Sequence, residues 1–274
     1  MSRLPGFRLV AGCVVLGLAG AVPAGARQAA APAAGYRESI AGTLVAFEMV
    51  RVSAGSAIVD TGAGPRTVDV PAFHIGRTEV TWDLYDVFAL GLDQPREGDA
   101  TARPSNPYGA PDRGWGHTGF PVMSVTRDAA DAFCAWLSAT TGRAYRLPTE
   151  AEWSRAAALA SGGGLDAGRL DAIAWWQGNA AGRTHDVSSR QPDALGLFDL
   201  FGNVAEWVTT DTDERVTRGG SFRDPADRVG PHARAVQHPS WNESDPQLPK
   251  SRWWLSDAPF VGVRLALTAE GEER

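Results

Sequence analysis

Apolar and polar positions alternate weakly over residues 44–52, the period of two expected for a strand with one buried face. Ser53-Ala54-Gly55-Ser56 reads as a turn, and Ala57 to Val59 opens a second strand. Residues 67–75, with Val68, Val70 and Phe73 among polar neighbours, read as one further extended segment. Three windows then change to helical spacing. Leu84, Val87 and Phe88 share a face of a helix from Trp82 to Leu90, with Thr81 as its cap. Ala130, Phe133, Cys134 and Leu137 follow the i, i+3, i+4, i+7 pattern over 127–140, between a Thr126 cap and Gly142 as terminator. Thr149 and Glu152 form a capping box for a third helix, Glu150 to Ala160, which stops at Gly162-Gly163-Gly164. Residues 93–119 and 223–257 are rich in Pro, Gly and polar side chains and are expected to be irregular. Stretches of that length inside a compact domain are usually functional surface. The pattern predicts an α+β fold with little regular secondary structure and long ordered loops, without repeats or heptads.

The first residues have a different logic. Arg3 and Arg8 precede an apolar run from Leu9 to Val22, and Ala24-Gly25-Ala26 follows it. That order is the signature of a secretory signal peptide over 1–26, and a run of about fourteen residues is short for a permanent membrane span. Residues 27–43 are then expected to be a flexible tether, 44–268 the domain, and 269–274 a tail. The corresponding location is the periplasm or the exterior. Val10-Ala11-Gly12-Cys13 also resembles a lipidation site, but a cut there would leave most of the apolar run behind it.

Export sharpens the meaning of the cysteines. The chain has two, and removal of the signal leaves Cys134 alone, so no intrachain disulfide can form. Roughly 240 remaining residues suffice for one large domain held by its own core. The net charge of -6, without a long basic cluster, argues against nucleic acid or an anionic membrane as the main partner. Ten tryptophans against four tyrosines point to extensive aromatic packing and an aromatic-lined cleft.

Four segments carry the strongest signal: Arg146-Leu147-Pro148-Thr149-Glu150-Ala151-Glu152-Trp153, Gly196-Leu197-Phe198-Asp199-Leu200-Phe201-Gly202-Asn203-Val204-Ala205-Glu206-Trp207, Arg218-Gly219-Gly220-Ser221-Phe222 and Phe260-Val261-Gly262-Val263-Arg264. In this order and spacing they resemble the formylglycine-generating enzyme, or sulfatase-modifying factor, family. The resemblance covers about residues 44–267 and implies a variant of the C-type-lectin-like fold. Each segment also has a purely structural reading. The first is a turn into a capped helix, the third a strand edge where glycines admit a close neighbour, and Arg264 either a buried ion-paired arginine or a substrate clamp.

The resemblance implies structural calcium. Carboxylate, amide and carbonyl oxygens within one turn suit a hard cation, and the family places one ion on the segment matching Asn203, Val204 and Glu206. A second would sit on Asn179 and Ala180; a hydrogen-bonded turn without metal is the alternative for both. The resemblance also implies what is missing. Aerobic members bind Cu(I) through two cysteines, a soft ion on soft thiolates, and the matching positions here are Val229 and Arg234. The copper–dithiolate reaction is therefore not expected.

Two function classes remain. The leading expectation is a calcium-stabilised binding or accessory module for a protein, peptide or glycan. Its cleft would draw on Arg218, Ser221, His232, Arg234, His238, Trp241, Trp253, Trp254 and Arg264; the alternative for the tryptophans is a loop that packs them as a small satellite core. The alternative is a metal-dependent oxidoreductase without the cysteine–copper mechanism, acting on an exported peptide or small molecule. His232 and His238 with Asp224, Asp227 or Glu243 would then form a facial triad for non-haem iron.

Overall fold

The computed structural model describes residue 1 and residues 35–60, 64–93, 103–105, 107, 109–162, 164–212 and 214–269. The expected signal segment, apart from Met1, and the end of the expected tail lie outside the described residues. The expected tether does not hold over 35–39. Gly35–Ser39 form β1, paired antiparallel along its whole length with β2, Ala46–Val52. Ile40 follows β1 into the core. The domain therefore begins before residue 44, because Tyr36 and Ile40 supply apolar contacts that an Ala-rich reading of the segment undervalues.

β2 pairs with β5, Phe73–Gly76, and β5 with β10, Ala266–Thr268, so one antiparallel sheet unites both ends of the domain in the order β1-β2-β5-β10. β3, Gly55–Asp60, and β4, Pro65–Val70, form a separate hairpin. The single extended segment expected over 67–75 is thus two strands in different sheets, broken at Pro71. Proline has no N–H to continue the β4 ladder, which is a sufficient reason for the break.

The three helices occur as expected: α1, Trp82–Leu90; α2, Arg127–Thr141; α3, Glu150–Ala160. Thr126 accepts from Ala129 N at 3.0 Å, and Thr149 and Glu152 close the capping box in both directions. Thr81 makes no side-chain cap; its backbone bridges to Pro121 instead. A fourth helix, α4, Ala167–Ile173, starts at an Asp166 cap, a signal the periodicity did not show in so short an element.

The remaining sheet carries the site. Its order is β8-β7-β6-β9, with β6 Ala205–Val208, β7 Val216–Gly219, β8 Gly230–Val236 and β9 Val261–Gly262. β8 lies within the stretch expected to be irregular. It pairs with β7 across a bulge at Arg218/Gly219, a long-range ladder that local composition does not reveal. One apolar cluster joins α1 and α2 to the Trp207, Trp241 and Phe260 side of this sheet, and a second joins α3 to its Trp153, Phe201 and Val216 side.

Candidate functional site

Side chains alternate along β7, so neighbours serve opposite faces. Arg218 turns to α3, where its Nη1 donates to Glu150 at 2.7 Å and its guanidinium carbon lies 5.0 Å from the Trp153 ring centre. Arg234 is its register partner on β8 and donates to the same carboxylate oxygen at 2.8 Å. Two like charges directly across a ladder repel; Glu150 at the α3 N-terminus holds both. Arg218 and Arg234 are therefore structural in their charged ends, although Arg234 also borders the cleft.

The opposite face opens into a cleft of about 470 Å³ bordered by Thr217, Arg223, His232, Trp241 and Phe260. Trp241 meets Phe260 edge-on, with centroids 5.2 Å apart at 86°. The Arg223 guanidinium carbon lies 3.1 Å from the Phe260 ring centre. Burial, partly offset by the charge of Asp224, lowers the Arg223 pKa from the ordinary arginine value. Thr217 is 1% exposed, and its hydroxyl has no hydrogen-bond partner among the described residues. Gly220 lets the chain turn at this rim: φ is +74°, and a Cβ there would stand 2.4 Å from the Arg228 carbonyl oxygen. Sequence reasoning missed Thr217 and Arg223. Their only early signal was position beside the Arg218–Phe222 motif.

Other expected cleft residues are dispersed. Ser221 is fully buried, with N and Oγ both donating to Asp224 Oδ2, at 2.9 and 2.6 Å. Trp253 is buried against Phe88, with centroids 6.5 Å apart. Trp254 stacks on Trp82 and borders a separate cavity of about 370 Å³ with Pro107 and Pro111. The single tryptophan-rich cleft is thus not formed: in the turn held by the Ser251 hydroxyl, which accepts from both Trp253 N and Trp254 N, Trp253 goes to the core and Trp254 to the separate cavity. Arg264 is also no clamp for a ligand. It is fully buried; Nε donates to Glu206 at 2.6 Å, and Nη1 and Nη2 donate to the Gly76 and Phe198 carbonyls at 2.8 Å each.

The expected iron ligands are not brought together, and the side chains expected to hold calcium already have protein partners. His232 borders the cleft and contacts the Asp227 carbonyl, whereas His238 caps the turn Pro239–Asn242 through Ser240 and borders another cavity. No His, Cys, Asp and Glu cluster able to hold a metal is formed among the described residues, so the iron triad is not assembled. For calcium, the side-chain oxygens named are already occupied. Asn203 Oδ1 accepts from His185 N, Glu206 from Arg264 and Trp153, and Asn179 Oδ1 from Trp176 N. The Ala180 carbonyl accepts from the His185 ring at 2.9 Å, while Val204 enters the network through its N–H, which donates to Glu79. A guanidinium against Glu206 stands where calcium would need that carboxylate. The turn itself is tight: Gly202 has φ +82°, and a Cβ would stand 2.2 Å from the Trp175 carbonyl oxygen.

Around Arg264 the acidic groups outnumber the basic one. Burial and the neighbouring Asp199 charge push Glu79 well above the usual carboxylate range. Burial likewise raises Asp199 and Glu206, and Asp199 Oδ1 has no partner among the described residues. Cys134 lies in the core on α2, where burial raises its thiol far above the ordinary value.

Residues 40–246 match the sulfatase-modifying factor enzyme 1-like domain family. Similar curated proteins include an inactive Cα-formylglycine-generating enzyme 2 of Bos taurus, 35% identical over 152 residues and 46% of each chain. A hercynine oxygenase of Mycolicibacterium thermoresistibile is 30% identical over 261 residues, 76% of this chain and 53% of that protein. The chain spans about half the length of these relatives. Among solved structures, variable protein 1 of Treponema denticola aligns over 86% of this chain and 99% of its own, at 24% identity and TM-score 0.63. PvdO of Pseudomonas aeruginosa aligns over 81% and 94%, at 21% identity and TM-score 0.56. These last two share the fold.

Proposed function

The chain belongs to the sulfatase-modifying factor family, and on that premise we propose that it acts after export as a binding or accessory module, offering the β7–β8 cleft to a peptide segment of a partner protein. The observation that carries this reading is the chemistry at the two positions matching the copper cysteines. Val229 is 1% exposed and apolar, and Arg234 is committed to Glu150 and Glu214. Neither supplies a thiolate, and Cys134 is embedded in the core. A relative bearing the word inactive in its name is consistent with this assignment. The cleft has the size and the mixed aromatic and charged lining of a recognition site. The export part of the proposal rests on the sequence of residues 1–26.

Two measurements test the reading. Anaerobic titration with Cu(I) against a chromophoric chelator is expected to show no tight site. Peptides selected by phage display are expected to shift the Trp241 indole resonance on binding. Stoichiometric Cu(I) together with formylglycine formed in a cysteine-containing peptide would overturn the proposal, as would selected peptides that leave the cleft resonances unmoved.

A further inference from the structure

The charged ends bordering the cleft are not equivalent. Arg234 is held by Glu150 and Glu214. Arg223 makes no hydrogen bond or ion pair among the described residues; its contact is with the Phe260 face. With the guanidinium carbon 3.1 Å from the ring centre, the group must lie flat on the ring. Stacking consumes the faces of a guanidinium and leaves its in-plane N–H edge, the edge whose fork matches a carboxylate. The stack also fixes its orientation before a ligand arrives, which lowers the entropy cost of binding.

A second polar group points to the same occupant. Thr217 borders the cleft and is buried, and its hydroxyl has no partner among the described residues. An unsatisfied buried hydroxyl is costly and calls for an explanation; a ligand donor or acceptor entering the cleft would satisfy it. The aromatic edges of Trp241 and Phe260 supply apolar surface beside these two groups.

We infer that the cleft recognises a carboxylate-bearing peptide segment, with the acid on the free edge of Arg223, the Thr217 hydroxyl on an adjoining polar group and apolar atoms against Trp241. This deepens the proposed function and rests on it. The aspartate next to Arg223 does not occupy that edge. Asp224 is turned to Ser221, bonded by both its N–H and hydroxyl, and forms no ion pair with Arg223.

The test uses four probes with the full mature chain, read by NMR and by tryptophan fluorescence. They are the capped peptides acetyl-Gly-Glu-Phe-Gly-amide and acetyl-Gly-Gln-Phe-Gly-amide, the free-acid peptide acetyl-Gly-Gln-Phe-Gly, and the capped control acetyl-Gly-Gln-Gly-Gly-amide. A single charge-assisted fork corresponds to roughly a tenfold step in Kd. The Glu peptide, the free-acid peptide or both are expected to bind about tenfold tighter than the neutral Phe peptide, and which one wins tells a side-chain acid from a chain terminus. Arg223→Gln is expected to erase that preference while leaving the neutral Phe peptide bound. Arg223→Lys, which keeps the charge without the planar fork, is expected to lose most of it. Equal binding of acidic and neutral peptides, or a preference that survives Arg223→Gln, would overturn the inference and leave the cleft reading standing. Failure of every probe to bind would overturn both. Unchanged circular dichroism and melting temperature confirm that the surface variants fold.

Discussion

Replacing Arg264 by Met removes the cation that three buried acids share, while conserving much of the volume. Arg264 and Glu206 are both fully buried, and the guanidinium satisfies one carboxylate and two backbone carbonyls. Breaking a buried pair from one side costs about 3–5 kcal/mol. For a domain of this size that lowers the melting temperature by about 10 °C. The loss also has a definite pH dependence. Asp199 is raised by burial from 3.8 to about 6, so the folded state binds its proton more tightly than the unfolded one. Its favourable contribution is present below 3.8 and is lost as pH rises through about 6. Arg264 draws Glu79, Asp199 and Glu206 downward, so its removal raises all three further and deepens the loss at neutral pH. Each additional unit costs about 1.4 kcal/mol where the acids must ionise. Urea denaturation at pH 5 and pH 7.5 is expected to give the larger destabilisation at pH 7.5, by about 1–2 kcal/mol. The double variant Glu206→Leu/Arg264→Met is expected to recover part of the loss, since an apolar pair of similar volume replaces a stranded carboxylate. A destabilisation below about 1 kcal/mol, or one equal at both pH values, would refute the electrostatic account.

Three other outcomes follow from the same physics. Glu150→Gln is expected to lower stability by about 3 kcal/mol, because it leaves buried Arg218 and its register partner Arg234 facing each other; a smaller loss in Glu150→Gln/Arg218→Met would show the coupling in chemical denaturation. Cys134 is expected to resist thiol reagents until the chain unfolds, so its alkylation rate in a urea series should track global unfolding. Burial alone would lower His117, but hydrogen bonds to Asp86 at 2.7 Å and Asp112 at 2.9 Å outweigh it and leave the pKa above the ordinary value. Its stabilising contribution is therefore complete below the unfolded pKa and lost as pH rises through the folded one, and an NMR titration of wild type and Asp112→Asn should show the histidine pKa fall in the variant.

Some of this protein was legible because its causes are local. The Thr126 cap and the Thr149–Glu152 box act over three residues, and the apolar stripe of α2 repeats within one helix, so those elements stand where the pattern puts them. The four motifs were read with equal ease as a family signature, and the family is confirmed. The absence of a thiolate at 229 and 234 is likewise a property of composition alone.

What those motifs do was decided at long range. Glu206 has the right chemistry for an ion, yet its partners Trp153 and Arg264 arrive from 53 and 58 positions away, and no spacing rule relates them. β8 is polar and glycine-containing, and is a strand only because β7 offers a ladder. That ladder brings Thr217, Arg223 and Trp241 around one cleft and sends Trp253 and Trp254 elsewhere. Sequence alone settles which side chains are available and which local turns are cheap. Which faces meet depends on burying the sheet against α3 on one side and the α1–α2 core on the other, and that choice belongs to the tertiary structure because each contact is favourable only when the others are made.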